Sequence, residues 1–513
     1  MSAPSARFTL LTASLVCALI ILDTNIVAVS LPSIARDLSG SFADIEWVVS
    51  AYLLAFAACL LPAGSLADRF GRRRVLLLGL VLFGMASLAC GAAPNLLFLD
   101  LARAAKGVGA ALLLTSALAA IGNRFHEPHE RMRAWAFWGA CMGATITFAP
   151  LLGGVIASTL GWRWIFYINL PLVALLAVMV MRSVEESRDT AAARLDPWGS
   201  LTFAGSLGYL IWAMIDANQV GWGSAQTLGR LVISVFLFGL FVMVERNQVR
   251  PMIDLRLMRS GRFVGALLGM FAYAACAQVM MTLLPLYLQN GLQLSALAAG
   301  AGMLPFAIAM LLMPRLGMRL ATRLSPAQVF ALGLVLVGAG NLLCAWATRL
   351  GGYGSFALAS LVLGAGAGLL NGDTQKNIMA CVPRERTGMA SGLSTTTRFG
   401  AIVLAFGVLG GVLAARSGQL LNEALANVAP AQSGQVAAMA TRVAAGDLHA
   451  ALAMVEPGLR EAVAPLARQA FIGGFDAVLQ TAGFAALLFA IVVGVLLSRP
   501  SIQVETVIQR PAQ

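Results

Sequence analysis

The chain has 513 residues, 59% hydrophobic and only 11% charged, with 35 basic and 23 acidic side chains. A water-soluble chain carries roughly a quarter charged residues, which excludes a single large soluble enzyme. On the order of 300 apolar residues would supply about fourteen or fifteen bilayer crossings of about 20 residues each, leaving little for a soluble domain.

Apolar runs predict transmembrane helices over Phe8 to Leu31, Ile45 to Ala67, Val75 to Ala93, Leu96 to Ile121, Ala134 to Ser158 and Trp162 to Met181. The series continues with Trp198 to Asp216, Leu231 to Val244, Phe263 to Gln289, Ala296 to Gly317, Ala327 to Ala347, Tyr353 to Met379, Gly388 to Ala415 and Phe471 to Leu497. Fourteen crossings put both termini on one side of the membrane. The expected organisation is an amino-terminal six-helix bundle over residues 1–182 and an inserted helix pair over 183–250. A carboxy-terminal six-helix bundle over 251–498 and a tail over 499–513 complete it. The second bundle includes an external loop, 416–469, whose helix-like apolar spacing and prolines predict short capping helices.

Charge sets the orientation. Of the 35 basic residues, 23 fall in the termini and in loops on the side of the amino terminus, and eight on the other side. The positive-inside bias therefore places both termini in the cytoplasm. A multi-pass location in a bacterial inner (plasma) membrane is the expectation. The +12 net charge is a topology signal, not a nucleic-acid footprint, because the arginines are dispersed through short loops. The first run, carrying an acid and no small-residue cleavage site, is too long for a removable signal peptide.

Reactive chemistry is sparse. The seven cysteines lie in apolar runs or at their ends, unlike a disulfide framework or zinc site. His126, His129 and the neighbouring acids lack metal-binding spacing and read as a solvated loop, so no metal is expected. Lys106 and Lys376 are the only lysines, and neither sits in a GxxxxGK[ST] phosphate loop. No HExxH or GxSxG motif points to an intramembrane enzyme.

An internal repeat is visible. Gly79 to Gly84 reads GLVLFG and Gly333 to Gly338 reads GLVLVG, and at the same offset of 254 Ala67, Arg69 and Val75 match Ala321, Arg323 and Val329. The third helix thus matches the eleventh, as two six-helix halves separated by an inserted pair would produce.

The loop after the second helix reads Gly64-Ser-Leu-Ala-Asp68-Arg69-Phe-Gly71-Arg72-Arg73-Arg74. Its glycines permit a tight turn, and Asp68 with the arginines can form a latch that holds one conformation and releases in another. This segment resembles the G-x-L-a-D-r-x-G-r signature of the major facilitator superfamily. Further segments resemble its fourteen-helix drug:proton antiporter branch, of multidrug efflux type. Leu22-Asp23-Thr24-Asn25-Ile26-Val27 is similar to that branch's first-helix motif LDxTIVNVALP. Arg103-Ala-Ala-Lys106-Gly107-Val-Gly109 is similar to RxxQGxG, with Lys106 where the branch has Gln. Gly139, Gly143 and Ala149-Pro150-Leu-Leu-Gly153-Gly154 resemble the fifth-helix antiporter motif GPxxGG, and Trp162 to Pro171 resembles WRWIFxINxP. Gly388 to Arg398 resembles the branch's thirteenth helix. The resemblance implies an all-α polytopic membrane protein with the major facilitator fold, two six-helix bundles plus two inserted helices. It further implies proton-coupled export of small amphipathic or toxic compounds by alternating access. A proton-coupled importer or a dedicated metabolite exporter of the same fold is the alternative reading.

Individual residues carry physical expectations of their own. Asp23 lies deep in the first helix with no cation one turn away, a position that is costly unless the acid is paired, hydrated or protonated. It is read as the proton-coupling site, with a satisfied structural acid as the competing account, and Arg103 is its natural counter-charge. Asp100, Arg103 and Lys106 follow at helical spacing, so Arg103 can also pair with Asp100, while Lys106 suggests a water-lined cavity. Asn25, Tyr52, Lys106, Asn371, Asp373 and Arg398 are substrate-cavity candidates, the amides being equally suited to helix packing. Pro150 with its flanking glycines suits a hinge or gate. The expected partners are a small-molecule substrate, protons and the lipid bilayer, with no nucleic acid. The energy source is the proton gradient and no cofactor is expected. Nothing in the sequence indicates an accessory periplasmic or outer-membrane partner.

Overall fold

The computed structural model describes residues 6–125, 127–187, 196–221, 223–247, 255–320, 323–382, 387–428, 436–444 and 448–498. The tail 499–513, His126 and parts of the loop 416–469 lie outside the described residues, as do the side chains of Asp68 and His129.

Every regular element among the described residues is helical. In chain order they are α1 (Ala6–Asp37), α2 (Phe42–Phe70), α3 (Arg72–Gly91), α4 (Leu96–Arg124), α5 (Pro128–Thr159), α6 (Trp164–Tyr167) and α7 (Asn169–Ser183). Then come α8 (Pro197–Val220), α9 (Ala225–Asn247), α10 (Gly261–Tyr273), α11 (Met280–Asn290), α12 (Ala296–Gly302) and α13 (Leu304–Leu320). The remainder are α14 (Pro326–Leu350), α15 (Tyr353–Ala380), α16 (Thr387–Val428), α17 (Val436–Ala444), α18 (Leu448–Ala453) and α19 (Arg460–Ser498). Among the described residues, twelve segments are long and apolar enough to cross a membrane. Helices α2 and α8 occupy the places of the second and seventh predicted crossings.

Local chemistry explains the helix ends. The Asn95 side chain accepts from the Phe98 amide at 2.9 Å and starts α4. Ser325 and Gln328 form a reciprocal capping box at α14, which ends on Gly351 at a φ of +70°. Once started, the helices sort their faces by solvent. On α3, Leu78, Val81, Met85 and Leu88 form an exposed apolar stripe at helical spacing, suited to lipid, while Leu76, Leu80 and Phe83 face inward.

Three predicted crossings are interrupted. The sixth is α6 and α7, broken at Ile168; the tenth is α12 and α13, broken at Met303. The ninth is α10 and α11 joined by a π-helical stretch, Ala274–Gln278. The expected external segment 416–469 carries short helices, α17 and α18, and is shortened by its neighbours. Helix α16 runs 42 residues to Val428 and α19 begins at Arg460, so only α17, α18 and their connections lie between. Polar side chains continue α16 beyond the apolar run: Arg416 bonds Gln419, and Gln419 bonds Glu423, at one-turn spacing. Pro465 lies inside α19 without ending it. The short eighth run lengthens to the 23 residues of α9.

Helices α1 to α7 pack mainly on one another, as do α10 to α19, and the α8–α9 pair lies against α2 and α16. The repeat is structural as well. Gly79 of α3 lets α4 approach at Gly109, and its counterpart Gly333 in α14 meets Leu370 of α15.

The turn between α2 and α3 is held by a residue that the sequence reading did not single out. Glu186, just after α7, accepts from the Arg73 amide at 3.2 Å and lies 3.7 Å from Arg74 Nε. The Arg72 amide donates to the Ser187 carbonyl, and Arg73 Nη2 to the Met181 carbonyl at 2.8 Å. Gly71 has a φ of +109°, and a Cβ there would collide with the Glu186 carboxylate. Gly71→Ala is therefore expected to lower the thermal midpoint of the purified protein by a few degrees, from a left-handed penalty of about 1–2 kcal/mol plus the collision. Gly64→Ala, at a helical position with nothing within 4 Å, is the control and should leave the midpoint unchanged or raise it.

Candidate functional site

Two glycines bring the site together. A Cβ at Gly107 of α4 would collide with the Tyr52 carbonyl of α2, and one at Gly109 would sit 2.9 Å from the Phe83 amide of α3. Helices α2, α3 and α4 thus approach at backbone distance, which turns Arg103 and Lys106 away from lipid and toward α1.

There both meet Asp23. Arg103 Nη1 donates to Asp23 Oδ2 at 2.9 Å, and Lys106 Nζ donates to Oδ1. Asn169, the first residue of α7, donates to the same Oδ1 at 3.0 Å. Arg103 Nε also donates to the Val48 carbonyl at 2.9 Å, and its guanidinium lies 4.2 Å from the Tyr52 ring. The Lys106 ammonium sits between the rings of Phe83 and Phe166, at 4.7 and 5.0 Å. Asp23, Lys106 and Tyr52 are 0% exposed and Arg103 is 1% exposed, so the cluster is sealed in this conformation. Asp23 lies about 25 Å along α1 from Ala6, near the middle of the span.

This geometry answers two expectations. Arg103 turns to Asp23 and not to Asp100, whose Oδ1 is buried without a partner among the described residues. Lys106 is enclosed by rings and bonded to Asp23, so in this conformation neither it nor Tyr52 lines an open cavity. Asn25 is half-buried and donates to the Ile21 carbonyl of its own helix at 2.8 Å. Asn169 was legible only as part of a motif, and the break at Ile168 that aims it at Asp23 leaves no mark in the hydrophobic pattern. Glu46 of α2 is a second buried acid that the sequence reading missed; it is 1% exposed and both carboxyl oxygens lack a partner among the described residues.

A second polar cluster lies among α10 to α16. Arg398 of α16 donates through Nε to Gln278 Oε1 at 2.7 Å, and its guanidinium lies 5.7 Å from the Tyr273 ring. Tyr273 in turn donates to Asn371 Oδ1 at 3.0 Å. The π-helical stretch connects Tyr273 to Gln278, and such bulges frequently accompany functional sites. Gln278 is adjacent to Ala277, the position 254 residues after Asp23. Asp373 is half-buried on α15, and its backbone carbonyl accepts from Asn377; among the described residues no ion pair joins it to Arg398.

The two helix groups meet through glycines. A Cβ at Gly154 would lie 2.6 Å from the Ala296 carbonyl, and one at Gly300 would lie 2.5 Å from the Pro150 carbonyl. Gly153 packs against Ile26 and Gly143 against Leu311, while Gly139 is exposed with nothing near. Gln289 of α11 donates to the Val29 carbonyl at 2.8 Å, closing the same end of the molecule. Between the groups, Phe56 meets Phe399 edge-on at 4.5 Å. Helix α5 continues through Pro150. Of the latch residues, Arg69 is exposed and lies over Phe70, while the bonds of Gly71 to Arg74 described above stay within α2 to α7 and its following segment.

The sequence profile of the Major Facilitator Superfamily matches residues 13–418. A relative named multidrug resistance protein Stp, from Mycobacterium tuberculosis (strain CDC 1551 / Oshkosh), is 35% identical over 79% of this chain and 76% of its own length. Another, named multidrug efflux pump LfrA, from Mycolicibacterium smegmatis (strain ATCC 700084 / mc(2)155), is 30% identical over 94% of both chains. A crystal structure of a POT family transporter in complex with a thioalcohol-conjugated peptide superposes with a TM-score of 0.64 at 14% identity, covering 96% of each chain. That likeness shows the fold.

Two outcomes check the site. Asp23→Asn leaves two buried cations without their carboxylate and should destabilise the protein by about 3–5 kcal/mol. The double variant Asp23→Asn/Lys106→Gln should recover part of the loss in thermal unfolding; additive losses would mean that the three charges do not act together. At the helix-group contact, Gly154→Leu should separate α5 from α12, seen as a longer spin-label distance between them. An unchanged distance would show that the contact tolerates the side chain.

Proposed function

We propose that this chain, which belongs to the major facilitator superfamily, exports small amphipathic or toxic molecules in exchange for protons. The observation that carries the reading is the sealed Asp23 carboxylate held by Arg103 and Lys106. An acid in this position, bound by two cations, can report a proton to the whole helix group. Protonation removes the one negative charge that holds both cations and leaves them uncompensated in a low-dielectric interior. Helix movement that hydrates them then becomes favourable, so proton binding and the change of access are one event. The backbone-close contacts at Gly154 and Gly300 supply an interface that opens as a unit, since a tight glycine contact has few intermediate arrangements.

The names of the relatives support the export direction and the drug class. The arginine-rich loops support a plasma-membrane location with both termini in the cytoplasm. Transport needs no cofactor in this scheme. Each net charge moved inward supplies about 2.3 kcal/mol per 100 mV, enough to concentrate a neutral molecule more than tenfold. Arg398 and Asn371 are the substrate contacts, with Gln278 and Tyr273 positioning them.

The test is dye accumulation by proteoliposomes with an acidified lumen, over cationic, neutral and anionic lipophilic dyes. The native protein should accumulate at least one dye only while the pH gradient lasts. Asp23→Asn should abolish accumulation, even in a preparation where downhill dye flux persists. Accumulation by Asp23→Asn at the native rate would remove Asp23 from the coupling.

A further inference from the structure

The charges near the middle of the span do not balance. Asp23 is held by two cations and has no oxygen free of a partner. Arg398 lies eleven residues into α16, about 16 Å from its start, too deep for its guanidinium to belong to a lipid headgroup. It is half-buried, and among the described residues no carboxylate pairs with it. Its Nε is engaged by Gln278 and its guanidinium also interacts with the Tyr273 side chain, while among the described residues its Nη groups make no other hydrogen bond and neither is a fully buried orphan.

A guanidinium fixed through Nε keeps its two Nη groups directed as a fork, the geometry that matches the two oxygens of a carboxylate. The rings of Tyr273 and Phe399, 5.7 and 6.0 Å from the guanidinium, hold it in place and offer an apolar surface beside the charge. Phe399 also reaches Phe56 in the other helix group, so the fork adjoins the contact that must rearrange during transport. Asn371 lies next in line through Tyr273.

We propose that Arg398 is an anion subsite: the exported molecule carries a carboxylate or similar acidic group beside an apolar body, and that group docks on the Arg398 fork. This deepens the exporter reading and rests on it only in treating the α16 cluster as part of the substrate path. An uncompensated cation at mid-span is costly, and a bound anion offsets that cost, which gives the site a reason to select acidic molecules. A lipophilic cation would instead meet a like charge there.

The experiment measures equilibrium binding of three probes to the purified protein in detergent by pyrene fluorescence: pyrenebutyrate, its neutral methyl ester, and a pyrene quaternary ammonium. All share one apolar body and differ in head charge. The native protein is expected to bind the carboxylate most tightly. Arg398→Gln should weaken the carboxylate on the order of tenfold and leave the ester nearly unchanged, and Arg398→Lys should restore part of the difference. The proposal is overturned if Arg398→Gln weakens carboxylate and ester alike, or if the native protein binds the quaternary ammonium as tightly as the carboxylate. Binding requires no proton gradient, so carboxylate selectivity lost with Arg398 supports the subsite even where vesicles fail to accumulate dye. That failure would count against the exporter reading alone.

Discussion

One carboxylate and two cations have to be hidden near the middle of a membrane-spanning bundle, and much of the amino-terminal half is arranged around that requirement. Asp23, Arg103 and Lys106 come from helices far apart in sequence, so the helices must approach at backbone distance before the charges can meet. Gly107 and Gly109 permit that approach. The helix break at Ile168 places Asn169 on the same carboxylate, and the rings of Tyr52, Phe83 and Phe166 cover the cations. A buried ion cluster is a weak source of net stability, yet losing one member is costly, because it leaves the others uncompensated in the interior. The same sensitivity makes such a cluster useful as a sensor of a single proton.

The two halves handle charge differently. The cluster around Asp23 is closed and ringed by aromatics, whereas Arg398 is half-buried and among the described residues has no carboxylate partner. The repeat that relates α3 to α14 carries Asp23 onto Ala277, within the π-helical stretch of the other half. Duplication thus supplied equivalent positions at similar depth, one carrying the acid and the other lying beside Gln278. In this account the first half responds to protons and the second to the transported molecule. The glycine contacts of α5 with α12 let the two respond together.

The spans, the internal repeat and the buried position of Asp23 were legible because they depend on local composition: apolar runs, a repeated glycine pattern, and an acid where none should be. The pairing of Asp23 with Arg103 was legible from charge alone. Its geometry was not, since Arg103 has Asp100 one turn away on its own helix and nothing local says which acid it will face. Lys106 read as a sign of water because the sequence cannot show Phe83 and Phe166 closing over it. The same limit hid Glu186, Asn169 and Gln278, each of which gains its role from a partner on a distant element. The end of α16 was misplaced for a different reason: hydrophobicity marks where lipid ends, while one-turn polar pairs carry a helix farther.

The central claim is that Asp23 is ionised while its cations hold it and takes a proton when the access changes. Infrared difference spectroscopy tests this most directly, comparing the purified protein as it stands with protein locked open at the α5–α12 contact. The account predicts a protonated-carboxyl stretch that appears on opening and is missing from Asp23→Asn. A spectrum in which that band is absent on opening, or persists unchanged in Asp23→Asn, would contradict it.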